Sequence, residues 1–196
     1  MGHFFVFEGI DGSGKTTLSK KIVEVLQVPP NINKVWHREP TDGIYGKQIR
    51  NFLSGRIELS ASEQMELFLK DRAESVENVI KPNLEKQNII IQDRYIYSTA
   101  AYQGNKTLSA ESILEINYKQ GFPLPDKVFF LDITPEEASE RRAIRGGKSE
   151  FFDADEKQNL IYQNYMKILP ANTIFLDATQ NLEDLTIAVL ESIQFN

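Results

Sequence analysis

The sequence predicts an α/β fold in which a parallel β-sheet is covered by helices on both faces. Two observations support this. Strand-like and helix-like segments alternate along the whole chain of 196 residues, which is typical of parallel strands joined by right-handed helical crossovers. A glycine-rich segment, residues 9–17, also follows an apolar strand and precedes an amphipathic helix, and this is the usual position of a phosphate-binding loop.

The composition is that of an ordinary globular chain and argues against two classes of partner. The 196 residues, of which 41% are hydrophobic and 26% charged, suit one domain spanning 1–196. No apolar run approaches the roughly 20 residues needed to cross a bilayer. A net charge of −6 argues against a polynucleotide-binding face, which must be basic. We therefore expect neither a membrane nor nucleic acid as a partner. The absence of cysteine excludes thiolate metal sites and is compatible with the cytoplasm.

Hydrophobic periodicity and helix-breaking residues define the individual elements. The predicted strands are residues 3–8, 34–37, 88–93, 127–132 and 173–177. The predicted helices are residues 15–27, 44–54, 62–87, 95–104, 109–120, 135–145, 154–169 and 182–193. Each pair of consecutive strands is separated by at least one helix, as parallel pairing requires.

The glycine-rich segment matches the pattern G-x-x-x-x-G-K-[ST] from Gly9 to Thr16. Glycines let successive backbone N–H groups curl around an anion at a helix N-terminus, where the helix dipole adds positive potential. Lys15 would then reach the β- and γ-phosphates of a nucleotide, and the Thr16 hydroxyl would hold Mg²⁺. A dinucleotide-binding loop is excluded because the third glycine of that pattern is missing.

Charged residues end or follow two other predicted strands. The isoleucine-rich third strand ends in Asp93, where a central strand delivers a carboxylate to the Mg²⁺ of a bound nucleotide. Arg94 comes next, and Arg38 follows the second strand. Both can hold a phosphate at the carboxyl edge of the sheet, although Arg38 can equally belong to a solvated loop.

Two predicted helices carry residues that suit a nucleoside, although the same residues also suit ordinary packing. Phe68 and Arg72 share a helix face, either as ligands of a base or as a core aromatic beside a surface arginine. The helix at 95–104 presents a polar and aromatic stripe that suits a base and a sugar. This stripe consists of Ser98, Thr99, Tyr102 and Gln103.

Together these segments resemble the thymidylate kinase family, from Phe5 to about Leu185. The resemblance is carried by the phosphate loop with its internal acidic residue, by Phe68 with Arg72, and by the segments 38–40, 93–103, 125–126, 131–135, 141–145 and 177–179. It implies a three-layer P-loop kinase fold with a five-stranded parallel sheet in the order 2-3-1-4-5, flanked by helices, and a short lid at about 141–153. It also implies transfer of the γ-phosphoryl group of ATP to dTMP, giving dTDP and ADP, with Mg²⁺ as cofactor and a homodimer in the cytoplasm.

The resemblance further implies roles for individual residues. The residues that bind ATP are then Gly9, Asp11, Gly12, Ser13, Gly14, Lys15, Thr16, Thr17, Arg141 and Arg142. Those that bind dTMP are Asp11, Arg38, Pro40, Phe68, Arg72, Arg94, Ser98, Thr99, Tyr102 and Gln103. The catalytic residues are Lys15, Arg94, Arg145 and Asp11, and the metal site consists of Thr16 and Asp93. Asp11 would accept a hydrogen bond from the 3′-hydroxyl of dTMP, Phe68 would stack on thymine, and Arg72 would donate to its O4. Tyr102 would exclude a 2′-hydroxyl.

The lid is expected to supply the charge that stabilises the transition state. An arginine finger can contribute roughly 10³ to 10⁵ in rate, yet the variable positions of the phosphate loop, residues 10–13, contain no basic residue. We therefore assign this role to Arg145, assisted by Arg141, Arg142 or Lys148. The pair Phe151-Phe152 is unusually apolar for such a lid.

Two other functions stay open. A kinase of another deoxynucleotide or of a deoxynucleoside would use the same fold, and in a deoxynucleoside kinase Glu8 or Glu39 would act as a base near the 5′-hydroxyl. A P-loop switch or transport ATPase is less well supported. The chain lacks the Asn-Lys-x-Asp sequence that specifies guanine, and Leu53-Ser54-Gly55-Arg56 is not followed by the Gly-Gln of the transporter signature.

Overall fold

The computed structural model describes residues 2–146, 151–152 and 154–193, and these contain a five-stranded parallel sheet. The strands are β1 (His3–Glu8), β2 (Lys34–Arg38), β3 (Ile89–Asp93), β4 (Lys127–Asp132) and β5 (Ile174–Asp177). They lie in the order β2-β3-β1-β4-β5, which confirms the predicted order.

Helices connect the strands. The α-helices are α1 (Lys15–Val25), α2 (Ile44–Leu53), α3 (Ala61–Ser75), α4 (Lys81–Glu85), α5 (Ile96–Gln103), α6 (Ala110–Lys119), α7 (Pro135–Arg145), α8 (Asp155–Ile168) and α9 (Leu182–Ser192). Among the described residues, no helix has both the length and the apolar character needed to span a membrane.

β1 forms the centre of the sheet because its side chains are apolar in both directions. Phe4, Phe5, Val6 and Phe7 are almost completely buried, as expected for a parallel strand covered on both faces. β1 pairs with β3 on one side and with β4 on the other, where Phe7 lies opposite Phe129. The rings of these two residues stack with their centroids 5.0 Å apart, so backbone pairing and side-chain packing support the same register.

The helix predicted at 62–87 is not one continuous α-helix. α3 begins after Ser60, which forms a capping box with Glu63. A π-helix, Val76–Ile80, then separates α3 from α4, so the prediction of a single α-helix was wrong in this respect. Pro82 lies in the first turn of α4, just after the π-helix, where its missing N–H is least needed.

The carboxyl ends of β1, β2 and β3 meet at one edge of the sheet. Asp93 at the end of β3 lies opposite both Arg38 of β2 and Phe7 of β1. The phosphate loop, residues 9–14, leaves β1 at this same edge. Residues far apart in the sequence are therefore brought together where open α/β sheets bind their ligands.

Candidate active site

The glycine-rich segment after β1 lines a cavity of about 310 Å³. Gly12 and Gly14 have φ values of 94° and 95°, which residues with a side chain rarely adopt. A Cβ on Gly12 would also lie 2.5 Å from the carbonyl oxygen of Ala138 in α7. The cavity is lined by Asp11, Gly12, Gly14, Lys15, Thr16, Thr17, Arg94 and Arg141. The start of α1 and three cationic side chains thus line one cavity, which suits a polyphosphate.

Lys15 is buried in the wall of this first cavity. Its Nζ donates a hydrogen bond to the carbonyl oxygen of Ile10 at 2.8 Å. Burial and the positive charge of Arg94 lower the pKa of Lys15 to about 8, and the carboxylates of Asp11 and Asp93 oppose this shift. A bound polyphosphate would favour the charged form of the lysine.

Thr16 and Asp93 form a contact between α1 and β3. Thr16 Oγ1 donates to Asp93 Oδ2 at 2.5 Å. The other carboxylate oxygen, Oδ1, is buried and has no hydrogen-bond partner among the residues that the structure describes. Leaving such an oxygen unpaired is costly, and hydroxyl and carboxylate oxygens are the ligands that Mg²⁺ prefers. These two residues therefore fit the predicted metal site, with Asp93 acting directly or through water.

A second cavity, of about 230 Å³, adjoins the first. Its walls come from the loop after β2, from helices α2, α3 and α5, and from the segment before α8. The lining residues are Asp11, Thr16, Arg38, Glu39, Pro40, Arg50, Leu53, Phe68, Arg72, Asp93, Arg94, Tyr95, Ser98, Thr99, Tyr102 and Phe152. Three of them, Asp11, Thr16 and Arg94, also line the first cavity, so the two cavities meet at these side chains.

Arg94 is fixed at this junction by its backbone and its side chain. Its φ is 67°, which is uncommon for a residue with a side chain, and its N–H donates to the Phe7 carbonyl oxygen at 3.0 Å. The guanidinium donates to Asp11 and, at 3.1 Å, to the Tyr102 hydroxyl. The Tyr102 hydroxyl in turn donates to Asp11 at 2.8 Å. Arg94, Asp11 and Tyr102 therefore form a closed hydrogen-bonded group.

Asp11 stays ionised in this group. Burial raises the pKa of Asp11, but the positive charges of Arg94 and Lys15 outweigh burial and leave the pKa below its ordinary value. The phosphate loop thus presents a negative charge at the junction of the two cavities, beside the positive charges of Arg94 and Lys15.

Arg72 lies buried in the wall of the second cavity, with 1% of its surface exposed. Its guanidinium donates to Glu39 and Asn117, both at 2.6 Å, and to Thr99 at 3.0 Å. The alternative interpretation of Arg72 as a surface residue was therefore wrong. Burial raises the pKa of Glu39 to about 7, and the charge of Arg72 opposes this shift. Within the described part of the chain, the buried Nε of Arg72 has no hydrogen-bond partner.

Residues 7–189 match the family model described as thymidylate kinase. The chain belongs to the thymidylate kinase family. It is 44% identical over 188 residues to the thymidylate kinase of Leptospira interrogans serogroup Icterohaemorrhagiae serovar Lai, covering 96% of this chain and 92% of that protein. It is 40% identical over 172 residues to the probable thymidylate kinase of Pyrococcus abyssi, covering 85% and 82%. Its structure resembles that of the thymidylate kinase from Candida albicans, with a TM-score of 0.80 and 26% identity over 97% of this chain and 90% of the other.

Most residues assigned to the thymidylate kinase site from the sequence line at least one of the two cavities. Those that do are Asp11, Gly12, Gly14, Lys15, Thr16, Thr17, Arg38, Pro40, Phe68, Arg72, Asp93, Arg94, Ser98, Thr99, Tyr102 and Arg141. Gly9, Ser13, Gln103 and Arg142 line neither cavity. Ser13 and Gln103 are buried, and Arg142 donates to the backbone carbonyl oxygen of Asp11 at 2.7 Å. Arg142 thus supports the phosphate loop from behind.

The predicted lid is described only in part. Arg141 donates to the carbonyl oxygen of Ala178 at 2.8 Å and lines the first cavity. The side chain of Arg145 and the whole of Lys148 lie outside the described residues. The apolar pair before α8 packs against the end of α2, since the ring centroids of Phe151 and Phe152 lie 4.8 Å and 6.5 Å from that of Phe52. The Phe151 N–H also donates to the Leu53 carbonyl oxygen at 3.0 Å.

Five residues that line the second cavity were not assigned to the thymidylate kinase site from the sequence: Glu39, Arg50, Leu53, Tyr95 and Phe152. Two of these, Glu39 and Tyr95, stand next to predicted ligands, and this adjacency was the available signal. Arg50 and Leu53 belong to α2, where the amphipathic pattern indicates a helix but not a site.

Proposed function

We propose that this chain transfers the γ-phosphoryl group of ATP to dTMP, giving dTDP and ADP. The observation that carries the proposal is the junction of two cavities at Asp11, Thr16 and Arg94. One cavity adjoins a glycine-rich loop at a helix start and suits a triphosphate. The other combines aromatic, polar and arginine side chains and suits a nucleoside monophosphate. Direct transfer requires that the two phosphates meet, which this junction permits.

The acceptor dTMP is proposed to lie in the second cavity, with its phosphate held by Arg38 and Arg94. Phe68 then stacks on thymine, and Arg72 donates to the thymine O4. Arg72 is already oriented by three hydrogen bonds, so little further ordering of its side chain is needed on binding. Tyr102 would occupy the space that a 2′-hydroxyl needs.

The donor ATP is proposed to lie in the first cavity, with Lys15 at its β- and γ-phosphates. Thr16 would hold Mg²⁺, together with Asp93 directly or through water, and the unpaired Oδ1 of Asp93 supports this assignment. A bound Mg²⁺ would neutralise part of the negative charge on the triphosphate. Lys15 would orient the donor, and Arg141, which lines the same cavity, would cover part of it.

The proposed reaction needs no side-chain base, because the attacking atom is an oxygen of the already anionic dTMP phosphate. Positioning and electrostatic stabilisation are sufficient. The residues available as a base for a deoxynucleoside kinase are otherwise engaged: Glu8 lines neither cavity, and Glu39 pairs with Arg72. Charge that develops on the moving phosphoryl group would be met by Arg94 and by Arg145 of the lid.

A coupled assay of ADP formation with a panel of acceptors tests the proposal. With excess ATP and Mg²⁺, the acceptors are dTMP, dUMP, dGMP, UMP and thymidine, and we expect the highest kcat/KM for dTMP. The thymidylate kinase from Candida albicans is described as having broad substrate specificity, so the dUMP and dGMP arms measure how selective this chain is. ADP formation that is independent of any acceptor would favour a switch ATPase instead, and a preference for thymidine would favour a deoxynucleoside kinase.

The proposal also includes a homodimer and a cytoplasmic location, both implied by the resemblance to the family. Sedimentation equilibrium of the purified chain at micromolar concentration checks the first of these. A mass of two chains is expected, and a mass of one chain would contradict it.

A further inference from the structure

Glu8, the last residue of β1, is a buried carboxylate that the proposed mechanism does not use. Its exposed fraction is 0%, and both of its carboxylate oxygens are engaged. Oε1 accepts hydrogen bonds from the backbone N–H groups of Tyr95 at 2.8 Å and Ser98 at 3.2 Å. Oε2 accepts from the hydroxyl groups of Ser98 at 2.5 Å and Tyr165 at 3.0 Å. A fully buried carboxylate with this many donors is expected to fix the elements that supply them.

The backbone contacts of Glu8 cap helix α5 from a neighbouring strand. Tyr95 precedes α5, and no side chain of the helix itself caps it. Glu8 accepts from the N–H groups of the cap position and of the third helical residue, as a local capping side chain would. Burial raises the pKa of Glu8, and its hydrogen-bond donors and the charge of Arg94 oppose this rise. In its ionised form Glu8 is also favourable at a helix N-terminus. Because α5 carries Thr99 and Tyr102, Glu8 helps to place one wall of the second cavity.

The hydroxyl contact links Glu8 to Arg94. Ser98 has a single hydroxyl proton, and this proton is donated to Glu8. The Ser98 oxygen can therefore accept from Arg94 Nη1, which lies 3.2 Å away. The other terminal nitrogen of the same guanidinium donates to Asp11 and Tyr102. One terminal nitrogen of Arg94 is thus held by Ser98, and the other is held by Asp11 and Tyr102 at the junction of the cavities.

We propose that Glu8 is a positioning residue for the acceptor phosphate: it orients the Ser98 hydroxyl, which in turn holds the Arg94 guanidinium at the junction of the two cavities. The inference rests on the proposed function, because Arg94 is the proposed ligand of the dTMP phosphate. Glu8 is not a catalytic residue, since it lines neither cavity and has no oxygen free to meet a substrate.

The substitution Glu8→Gln separates the orientation of Ser98 from the capping of α5. The amide oxygen can still accept from the two backbone N–H groups, but the amide nitrogen must then face the hydroxyl groups of Ser98 and Tyr165 as a donor. It competes with Arg94 for the Ser98 oxygen. We expect the Kd for dTMP to rise about tenfold, and the Kd values for thymidine and ATP to change by less than about twofold.

Calorimetry measures the Kd values of dTMP, thymidine and ATP for three proteins: the wild type, Glu8→Gln and Glu191→Gln. Glu191 is exposed, so its substitution serves as the control. Equal losses of affinity for dTMP and thymidine would indicate a general structural role and overturn the inference. If the wild-type chain binds dTMP and Glu8→Gln binds it with the same Kd, the inference is also overturned. Failure of the wild-type chain to bind dTMP would instead overturn the proposed function itself.

Two further variants test the link from Glu8 through Ser98 to Arg94. In an Arg94→Met background, adding Glu8→Gln should leave the affinity for dTMP unchanged, because the arginine through which Glu8 acts is gone. The same loss in both backgrounds would overturn the inference. Should Glu8→Gln fail to fold, Ser98→Ala breaks the same link while retaining the carboxylate. It should weaken binding of dTMP more than binding of thymidine, and equal effects would overturn the inference.

Discussion

The guanidinium of Arg94 and the carboxylate of Asp11 form an ion pair where the two cavities meet. The pair joins the phosphate loop to the end of β3, across 83 residues of sequence. The arginine proposed to bind the acceptor phosphate therefore already has a negatively charged partner. An incoming phosphate either shares Arg94 with Asp11 or replaces Asp11 as the partner of Arg94. In the second case, the Asp11 carboxylate becomes free to accept a hydrogen bond from the sugar.

Asp11→Ala is expected to abolish discrimination between dTMP and its 3′-deoxy analogue. In the wild-type chain, loss of the hydrogen bond from the 3′-hydroxyl to a charged acceptor should lower kcat/KM by about tenfold or more. In Asp11→Ala the two acceptors should react at similar rates. Steady-state kinetics with both acceptors measures the ratio, and an unchanged ratio in the variant would place the 3′-hydroxyl elsewhere.

Tyr102→Ala is expected to relax the preference for deoxynucleotides, because the ring would no longer occupy the space beside the sugar. Tyr102→Phe is the matched control: it retains the ring and removes the hydroxyl that contacts Asp11 and Arg94. The ratio of kcat/KM for dTMP to that for its ribonucleotide counterpart should fall in the first variant only. Equal selectivity in wild type and Tyr102→Ala would refute the steric explanation.

Arg145→Ala is expected to lower kcat by roughly 10³ without a comparable change in Tm, because a transition-state arginine contributes to rate and not to folding. Arg56→Ala, at an exposed position on the chain that follows α2, serves as the control for loss of a surface arginine. Rapid-quench measurement of dTDP formation separates the chemical step from product release. A near-normal rate would remove Arg145 from the mechanism.

ATP binding at pH 8 is expected to take up protons through Lys15. The pKa of Lys15 is lowered to about 8 by burial and by Arg94, so the free site is partly deprotonated at that pH. The triphosphate favours the charged lysine and raises its pKa, and a proton is therefore bound with the nucleotide. Calorimetry in buffers of different ionisation enthalpy should show this uptake in wild type and not in Lys15→Arg. No buffer dependence in wild type would contradict the prediction.

The fold could be predicted from the sequence because hydrophobic periodicity, helix-breaking residues and the glycine-rich motif all indicated alternating strands and helices. β1 is apolar on both faces, as the buried neighbours Val6 and Phe7 show, and Lys15 follows a glycine-rich turn of the kind that opens a helix. The exception was the region around Pro82, where a π-helix lets the chain stay helical. Hydrophobic periodicity does not reveal such a turn, because a π-helix differs from an α-helix in its backbone hydrogen bonds and not in which residues are apolar.

The site could be predicted only for residues whose own chemistry points to a ligand. Asp93 ends β3 and Arg94 follows it, at the expected edge of the sheet, and both line the second cavity. The residues that hold the predicted ligands in place could not be predicted from sequence spacing, because they come from distant elements. Asn117, which fixes Arg72 from α6, and Glu8, which acts on Ser98 from β1, look like ordinary helix and strand residues until the fold brings them into contact.

The stereochemical course of the reaction tests most directly whether the phosphoryl group passes straight from one cavity to the other. ATP made chiral at its γ-phosphorus with oxygen isotopes is converted with dTMP, and the configuration at the β-phosphorus of dTDP is determined. A single in-line displacement at the junction of Arg94 and Asp11 predicts inversion of configuration. Retention would require a phosphorylated enzyme intermediate and would contradict direct transfer between the two cavities.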